Sequence, residues 1–272
     1  MAVGLRSGRP RHRQPTPPLA MLVLAVLAAG FVLVPFAALL QRAPWSDLWF
    51  LINRPLVLDA LRLSIVTSLA ATGLSVALGL PLAWLLARIE FPGRALLRGL
   101  VILPMVLPPV VGGAALLFAF GRRGLLGEPV YESSGFLLPF STLGVIVATT
   151  FVAMPFLVVT VEAALRGTDR RYGDAAATLG ASPWTTMRRV TLPMIAPSLV
   201  AGAVLCWARA LGEFGATITF AGNLQGRTQT MPLAVFLALE SDRDAAIALS
   251  LILVAVSLTV LVLLRDRWFA VT

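Results

Sequence analysis

The chain has 272 residues, 58% of them hydrophobic and 13% charged, with a mean hydropathy of +0.88. Soluble domains hold about 45–50% apolar and about 25% charged residues, so this apolar excess faces lipid and excludes an ordinary water-soluble domain. All 22 basic residues are arginine, against 13 acids, and His12 and Cys206 are the single histidine and cysteine, which excludes a P-loop or Schiff-base lysine, an internal disulfide and a His/Cys metal cluster.

Residues 1–18 read as a basic tail with Arg6, Arg9, Arg11 and Arg13. A helix needs about 20 apolar residues to cross a hydrocarbon core about 30 Å thick. Six stretches qualify, approximately Leu19 to Leu40, Ala60 to Ala87, Leu96 to Phe120, Thr142 to Leu165, Ile195 to Phe220 and Ala245 to Leu264. The first exceeds a signal-peptide core of roughly 7–15 residues and shows no small-x-small cleavage pattern before Gln41, so it reads as a retained span. The expected fold is therefore an all-α membrane protein with about six transmembrane helices over residues 19–272.

The second span carries Ser64, Ser68, Thr72, Ser75 and Gly79 on one helical face, which either packs small residues against a neighbouring helix or lines a water-filled path. In the third, Pro104, Pro108 and Pro109 precede Gly112-Gly113. Prolines remove backbone donors and push the preceding residue out of helical geometry, so the helix is expected to kink or break there. Broken helices at membrane depth need protein or a cavity around them, which makes Pro108 and Pro109 candidate pathway residues; a kink without substrate contact fits equally.

With a cytoplasmic N-terminus, fourteen arginines fall inside and six outside, and Arg62 and Arg209 lie within or at the edge of spans. That positive-inside bias puts both termini in the cytoplasm. The arginines are scattered between apolar blocks and form no single basic face for nucleic acid.

The longest inside loop, about 162–192, contains Thr168-Asp169 as a helix start, Asp174-Ala175-Ala176, and Gly180 as a left-handed helix end. Ser182-Pro183 then begins a second short helix, and Leu192-Pro193 is read as the entry into span five. In span five, Gly202, Cys206, Arg209, Glu213 and Thr217 step along one face, and Arg209 and Glu213 are spaced to pair. An intramembrane charge costs roughly 2.5–3.5 kcal/mol on insertion scales and faces the bundle interior. Charged and hydroxyl groups on an interior face make Arg209, Glu213, Thr217 and Thr219 candidate pathway or gate residues, where forked guanidinium and hydroxyl donors would serve if the path carries an anion; mutual neutralisation of Arg209 and Glu213 as an interhelical lock is the alternative.

The spacing from Asp174-Ala175-Ala176 through Gly180 to Val190-Thr191-Leu192-Pro193 resembles the EAA signature of the membrane subunits of bacterial ABC importers, with Asp174 where that pattern usually has Glu. Arg209-Ala210-Leu211-Gly212-Glu213-Phe214-Gly215 and the following Thr228-Gln229-Thr230-Met231-Pro232 are similar to the molybdate importer permeases, and the related sulfate/thiosulfate permeases share the Leu-Gly-Glu-Phe-Gly core. The resemblance implies a type I ABC importer permease of the bacterial inner membrane. Asp174, Ala175, Ala176, Gly180, Leu192 and Pro193 would then form the segment coupled to two cytoplasmic ABC ATPase subunits. It further implies no cofactor on this chain, ATP being used by the partner ATPase, and an extracytoplasmic molybdate-binding protein docking on outer loops that include Tyr131, Glu132 and residues 225–232.

Six spans are few for a pathway, which favours a homodimer. Tungstate and sulfate or thiosulfate are the alternative cargoes. An intramembrane enzyme built on Arg209 with Glu213 or Asp244 lacks a usable His, Cys or Lys cluster, and an ion-coupled carrier would need more titratable groups within the spans.

Overall fold

The computed structural model describes the backbone of residues 18–169 and 171–269, with side chains up to residue 262. The tail expected at residues 1–18 lies outside this range except for Pro18. All regular structure among the described residues is helical.

Residues up to Ala43 form one unit and Pro44 onward another. In the first, α1 (Leu19–Gln41) has a mean hydropathy of 2.7 and no buried residue.

The second unit runs through α2 (Leu48–Ile52), α3 (Pro55–Arg88), α4 (Arg94–Val106), α5 (Pro109–Phe120), α6 (Gly127–Ser134) and α7 (Thr142–Gly167). It continues with α8 (Arg171–Thr178), α9 (Pro183–Thr186), a π-helical turn (Met187–Thr191), α10 (Leu192–Leu211), α11 (Gly215–Ala221), α12 (Met231–Ser241) and α13 (Arg243–Phe269). Five helical runs, α1, α3, α7, α9 to α10, and α13, are long and apolar enough to cross a bilayer.

The centre of the bundle is α3 against α7, with α10 across both. Ser64, Ser68, Ser75 and Gly79 of the small-residue face are buried, which decides for close packing over a water-filled path. At Gly79 an added Cβ would stand 2.9 Å from Leu157 Cδ2, so glycine sets how near the two helices approach. Ala71, Ala83, Leu86, Leu157, Val158, Val161, Ile195 and Cys206 fill the seam. Hydroxyls within these helices turn back on their own carbonyls, Thr72 on Ser68 at 2.7 Å and Thr149 on Val145 at 2.8 Å, and so need no water. Ser64 Oγ instead accepts the N–H of Met231 at 2.7 Å and satisfies the first turn of α12, and Ser75 Oγ is buried with no partner among the described residues.

Two predicted spans differ from the structure. The third is two helices: α4 ends at Val106, Leu107 and Pro108 are extended, and α5 restarts with Pro109 in its first position. The fifth, expected to run to Phe220, stops at Leu211, and α11 begins only at Gly215. At its other end the helical run begins at Pro183, so Pro193 lies inside it and does not open the span. Proline at 193 has no N–H to give, and the preceding π turn accommodates it, the Leu192 N–H reaching the Met187 carbonyl.

The C-terminus of α3 is closed by arginines. The Leu86 carbonyl accepts Arg94 Nε at 2.9 Å and Nη2 at 2.5 Å, and Arg98 and Arg166 at 3.4 and 3.3 Å. Glu162, buried on α7, binds Arg98 and, at 2.9 Å, Arg166. Cations at a helix C-terminus oppose its negative dipole end, and the carboxylate keeps the guanidinium groups in place.

A second seam joins Leu51, Val57 and Ala60 to Met231, Ala234 and Ala238 of α12 and Ala245 to Leu249 of α13. Asp242 closes its end by accepting the Ala245 N–H at 3.0 Å and Arg54 Nη1 at 2.9 Å, and these contacts, Ala245 first, hold its carboxyl below the usual carboxylate range. A carboxyl depressed by folding adds stability above its unfolded pKa of about 3.9 and loses it as pH falls through the folded value. Asp242→Asn therefore lowers the thermal unfolding midpoint in detergent at neutral pH, and the gap to the parent closes on acidification below about pH 3.9.

The α5 and α11 helices meet at Gly113, where an added Cβ would lie 2.7 Å from Thr219 Cβ and 2.8 Å from the Ala216 carbonyl. Gly113→Ala is expected to cost about 1–3 kcal/mol by overpacking. Gly99→Ala, with nothing within 4 Å of its new methyl, leaves the midpoint unchanged or raised in the same melts.

Candidate functional site

Two regions carry the residues singled out in the sequence. The first is the α8 to α9 elbow at one end of the bundle. Asp169 Oδ1 accepts the Arg171 N–H at 2.9 Å and opens α8. Gly180 closes it at φ 81°, with its N–H on the Ala177 carbonyl and the Ala181 N–H on the Ala176 carbonyl, a paired closure that needs a left-handed residue. Ser182 Oγ accepts the Thr185 N–H at 3.2 Å and starts α9 with Pro183 in its first turn.

Asp174 and Ala175 are exposed on α8 and Ala176 is half-buried. Around them Tyr172, Leu179 and Trp184 are 57%, 88% and 71% exposed. Burying a large apolar side chain is worth about 1.5–3 kcal/mol, so this elbow is energetically equipped to seat against another surface. Cavities of 240 and 350 Å³ flank Gly173 and Trp84 between α8 and the bundle, so α8 rests mainly on α9 and the π turn. Leu192 is half-buried and Pro193 exposed on the continuous run behind the elbow.

The second region is where the two helix breaks abut. Gly215 at the start of α11 lies on Pro109, with an added Cβ falling 2.8 Å from the Pro109 Cβ. Arg209, on the last turn of α10, pairs with Glu213 at 2.5 Å, and the Glu213 side chain is 1% exposed against 28% for Arg209. Glu213 is not on the same helix as Arg209, as the sequence spacing suggested. It sits in the break, where its Oε1 accepts the Ala216 N–H at 2.8 Å and caps α11. Thr217 is fully buried with no hydrogen-bond partner for Oγ1 among the described residues, whereas Thr219 is half-buried and bonds the Gly215 carbonyl at 2.8 Å. Pro108 is exposed at the head of α5 and Pro109 half-buried beneath it. Thus Arg209, Glu213, Thr217, Thr219 and Pro109 gather at one double break.

Sequence reasoning missed two features. Thr228, Gln229 and Thr230, within the segment expected as an outer surface, are buried, and only Leu224 to Arg227 of that loop is exposed. Gln229 Oε1 and Thr230 Oγ1 find no partner among the described residues. Glu162 was placed at the start of a loop but is a buried ion-pair centre; a lone acid ending an apolar run, four residues before Arg166, was the available signal. Of the other residues expected on outer loops, Tyr131 lies under the Arg122 guanidinium at 4.6 Å and Glu132 is exposed.

The family model described as binding-protein-dependent transport system inner membrane component matches residues 79–271. The molybdenum transport system permease protein ModB of Mycobacterium tuberculosis is 50% identical over 223 residues, 81% of this chain and 83% of that protein. ModB of Escherichia coli K12 is 41% identical over 212 residues, 78% of this chain and 93% of its own. The E. coli sulfate transport system permease protein CysT is 38% identical, covering 77% of this chain and 76% of that one.

Among solved structures, a bacterial ABC transporter that imports the polysaccharide alginate superposes with a TM-score of 0.72 at 17% identity, over 93% of this chain and 95% of that one. The inward-facing MetNI methionine ABC transporter gives 0.61 at 20% identity, over 80% of this chain and 96% of that one. Identities this low speak for the shared fold alone. The apolar spans, the paired helix breaks and the family match agree: this chain is a multi-pass inner-membrane component of the binding-protein-dependent transport family, with the fold of type I ABC importer permeases.

Proposed function

We propose that the chain is the permease of an ATP-driven molybdate importer. The observation that carries this reading is 50% identity over four fifths of the chain to a permease named for molybdenum transport, through both helix breaks and the α8 to α9 elbow. Two copies of the chain would face each other across the pathway, with both termini in the cytoplasm, two ATPase subunits seated on the elbows and a molybdate-binding protein on the opposite face. The chain itself would bind no cofactor. ATP hydrolysis would belong to the ATPases, whose closure presses on Asp174, Ala175, Ala176 and Gly180 and switches the bundles between inward-facing and outward-facing arrangements.

The apolar side chains Tyr172, Leu179 and Trp184 support the docking role, because they surround the small residues of α8 and are largely exposed among the described residues. At the double break, the 2.5 Å pairing and the cap on α11 favour Arg209 and Glu213 as a lock that fixes the gate geometry, with the anion passing along hydroxyls and backbone donors rather than being held by the arginine. Weak contact suits a permease, since a cargo that enters must also leave.

Uptake of radiolabelled molybdate in cells without their own high-affinity system, supplied with this chain, its ATPase and its binding protein, tests the reading. Uptake that requires this chain and ATP, and is blocked by excess tungstate but not by sulfate, is the expected result. Equal competition by sulfate transfers the cargo to the sulfate class, and no ATP-dependent uptake refutes the importer.

For the coupling role, Gly180→Val places a branched side chain at φ 81° in open space, a strain of roughly 1–2 kcal/mol confined to the elbow. The bundle is expected to insert normally and the ATPase to keep hydrolysing while uptake is lost.

For the lock, Arg209→Met leaves a buried carboxylate without its cation and costs about 3 kcal/mol in detergent melts. The double replacement Arg209→Met with Glu213→Gln recovers most of that stability and most uptake. A stable double variant without uptake would instead make Arg209 an anion contact.

A further inference from the structure

The arginine closure of α3 opens outward into a cavity of 280 Å³ lined by Ala87, Arg88, Glu90, Arg94, Arg166 and Thr168. Three guanidinium groups face it against the single carboxylate Glu90. Behind the wall, Glu162 is shared between Arg166 and Arg98, so four arginines meet two acids. The arginines are only partly committed. Arg94 spends Nε and Nη2 on the Leu86 carbonyl, and Arg88 makes one long contact, Nη2 to the Thr168 carbonyl at 3.4 Å. Among the described residues, Arg94 Nη1 and Arg88 Nε and Nη1 have no hydrogen-bond partner.

The helices that form this cavity set its place along the bundle. Arg88 is the last residue of α3, Arg94 the first of α4 and Arg166 in the last turn of α7, so it lies where membrane-spanning helices end. From its rim, α4 carries Leu96, Leu100 and Leu103 along one face, 68%, 55% and 43% exposed. A charged pocket at the helix ends beside an exposed apolar stripe matches the two halves of one ligand, a phosphate group and its acyl chains.

We propose that this cavity binds the phosphate of an anionic phospholipid, with Arg88 and Arg94 donating to the phosphate oxygens and the acyl chains lying along Leu96, Leu100 and Leu103. Forked guanidinium donors suit phosphate geometry, and basic pockets between helices at the membrane surface recognise such headgroups. Nothing in this depends on the cargo assigned above.

The test is lipid retention by the full chain in detergent, counted by native mass spectrometry after exposure to phosphatidylglycerol and phosphatidylcholine with matched acyl chains. Retention of phosphatidylglycerol over phosphatidylcholine by roughly tenfold is expected, falling toward parity in Arg88→Gln, which leaves the Leu86 closure intact. Arg88→Lys keeps part of the preference, and Arg123→Gln, outside this cavity, keeps all of it. A parallel arm adds millimolar inorganic phosphate. If phosphate binds in an Arg88-dependent way while the lipids are retained equally, the site takes a free oxyanion and the lipid assignment fails. If Arg88→Gln changes neither lipid retention nor phosphate binding, the cavity is no anion site at all.

Discussion

Backbone N–H and C=O groups have no water to turn to inside hydrocarbon, and the architecture of this chain follows from how it meets that constraint at the places where its helices stop. Three solutions recur. At Leu107 to Pro109 the chain breaks with two consecutive prolines, which bring no donors, while the Val111 and Gly112 N–H groups return to the Pro108 carbonyl. At Gly212 to Phe214 a buried carboxylate takes the Ala216 N–H. At the end of α3 three arginines converge on the Leu86 carbonyl. The prolines remove donors that would otherwise need partners, the buried acid takes one, and the arginines at the end of α3 fill a carbonyl left open by the helix terminus.

The placement of these devices is what makes a pathway architecturally possible. The two breaks meet through glycine, Gly215 on Pro109 and Gly113 on Thr219, so α5 and α11 approach closely without regular helix carrying through either. The α3 and α7 pair beside them is closed by small residues and its own looped-back hydroxyls. The bundle therefore has one seam that is tightly packed throughout and another built from short segments, and conformational change has an evident place to occur.

Much of this was legible in the sequence because lipid makes its grammar strict. Span positions followed from apolar length, the α4 to α5 break from Pro104, Pro108 and Pro109, and the elbow from Gly180, Ser182 and Pro183, whose backbone roles are local. What escaped depends on partners distant in sequence. The continuation of the helix past Pro193 needed a π turn that no propensity encodes, and the end of span five at Leu211 was hidden because Gly212 and Glu213 are tolerated within helical spacing. The burial of Thr228 to Thr230 and the meeting of Arg98, Arg166 and Glu162 arise from helices brought together only in the folded bundle.

The π turn has a mechanical consequence. Because it keeps Pro183 to Leu211 helical without interruption, those 29 residues make one rod, about 40 Å long at 1.5 Å per residue. Its helical path is unbroken, and the π turn with Pro193 and Pro197 marks the points at which it can bend. A displacement applied near Trp184 passes toward Arg209 along one helical run, through the π turn and Pro197, before it meets the interruption at Gly212. The exposed elbow and the buried ion pair are thus the two ends of one helical run, and how far its π turn and prolines yield sets how faithfully one end reports on the other.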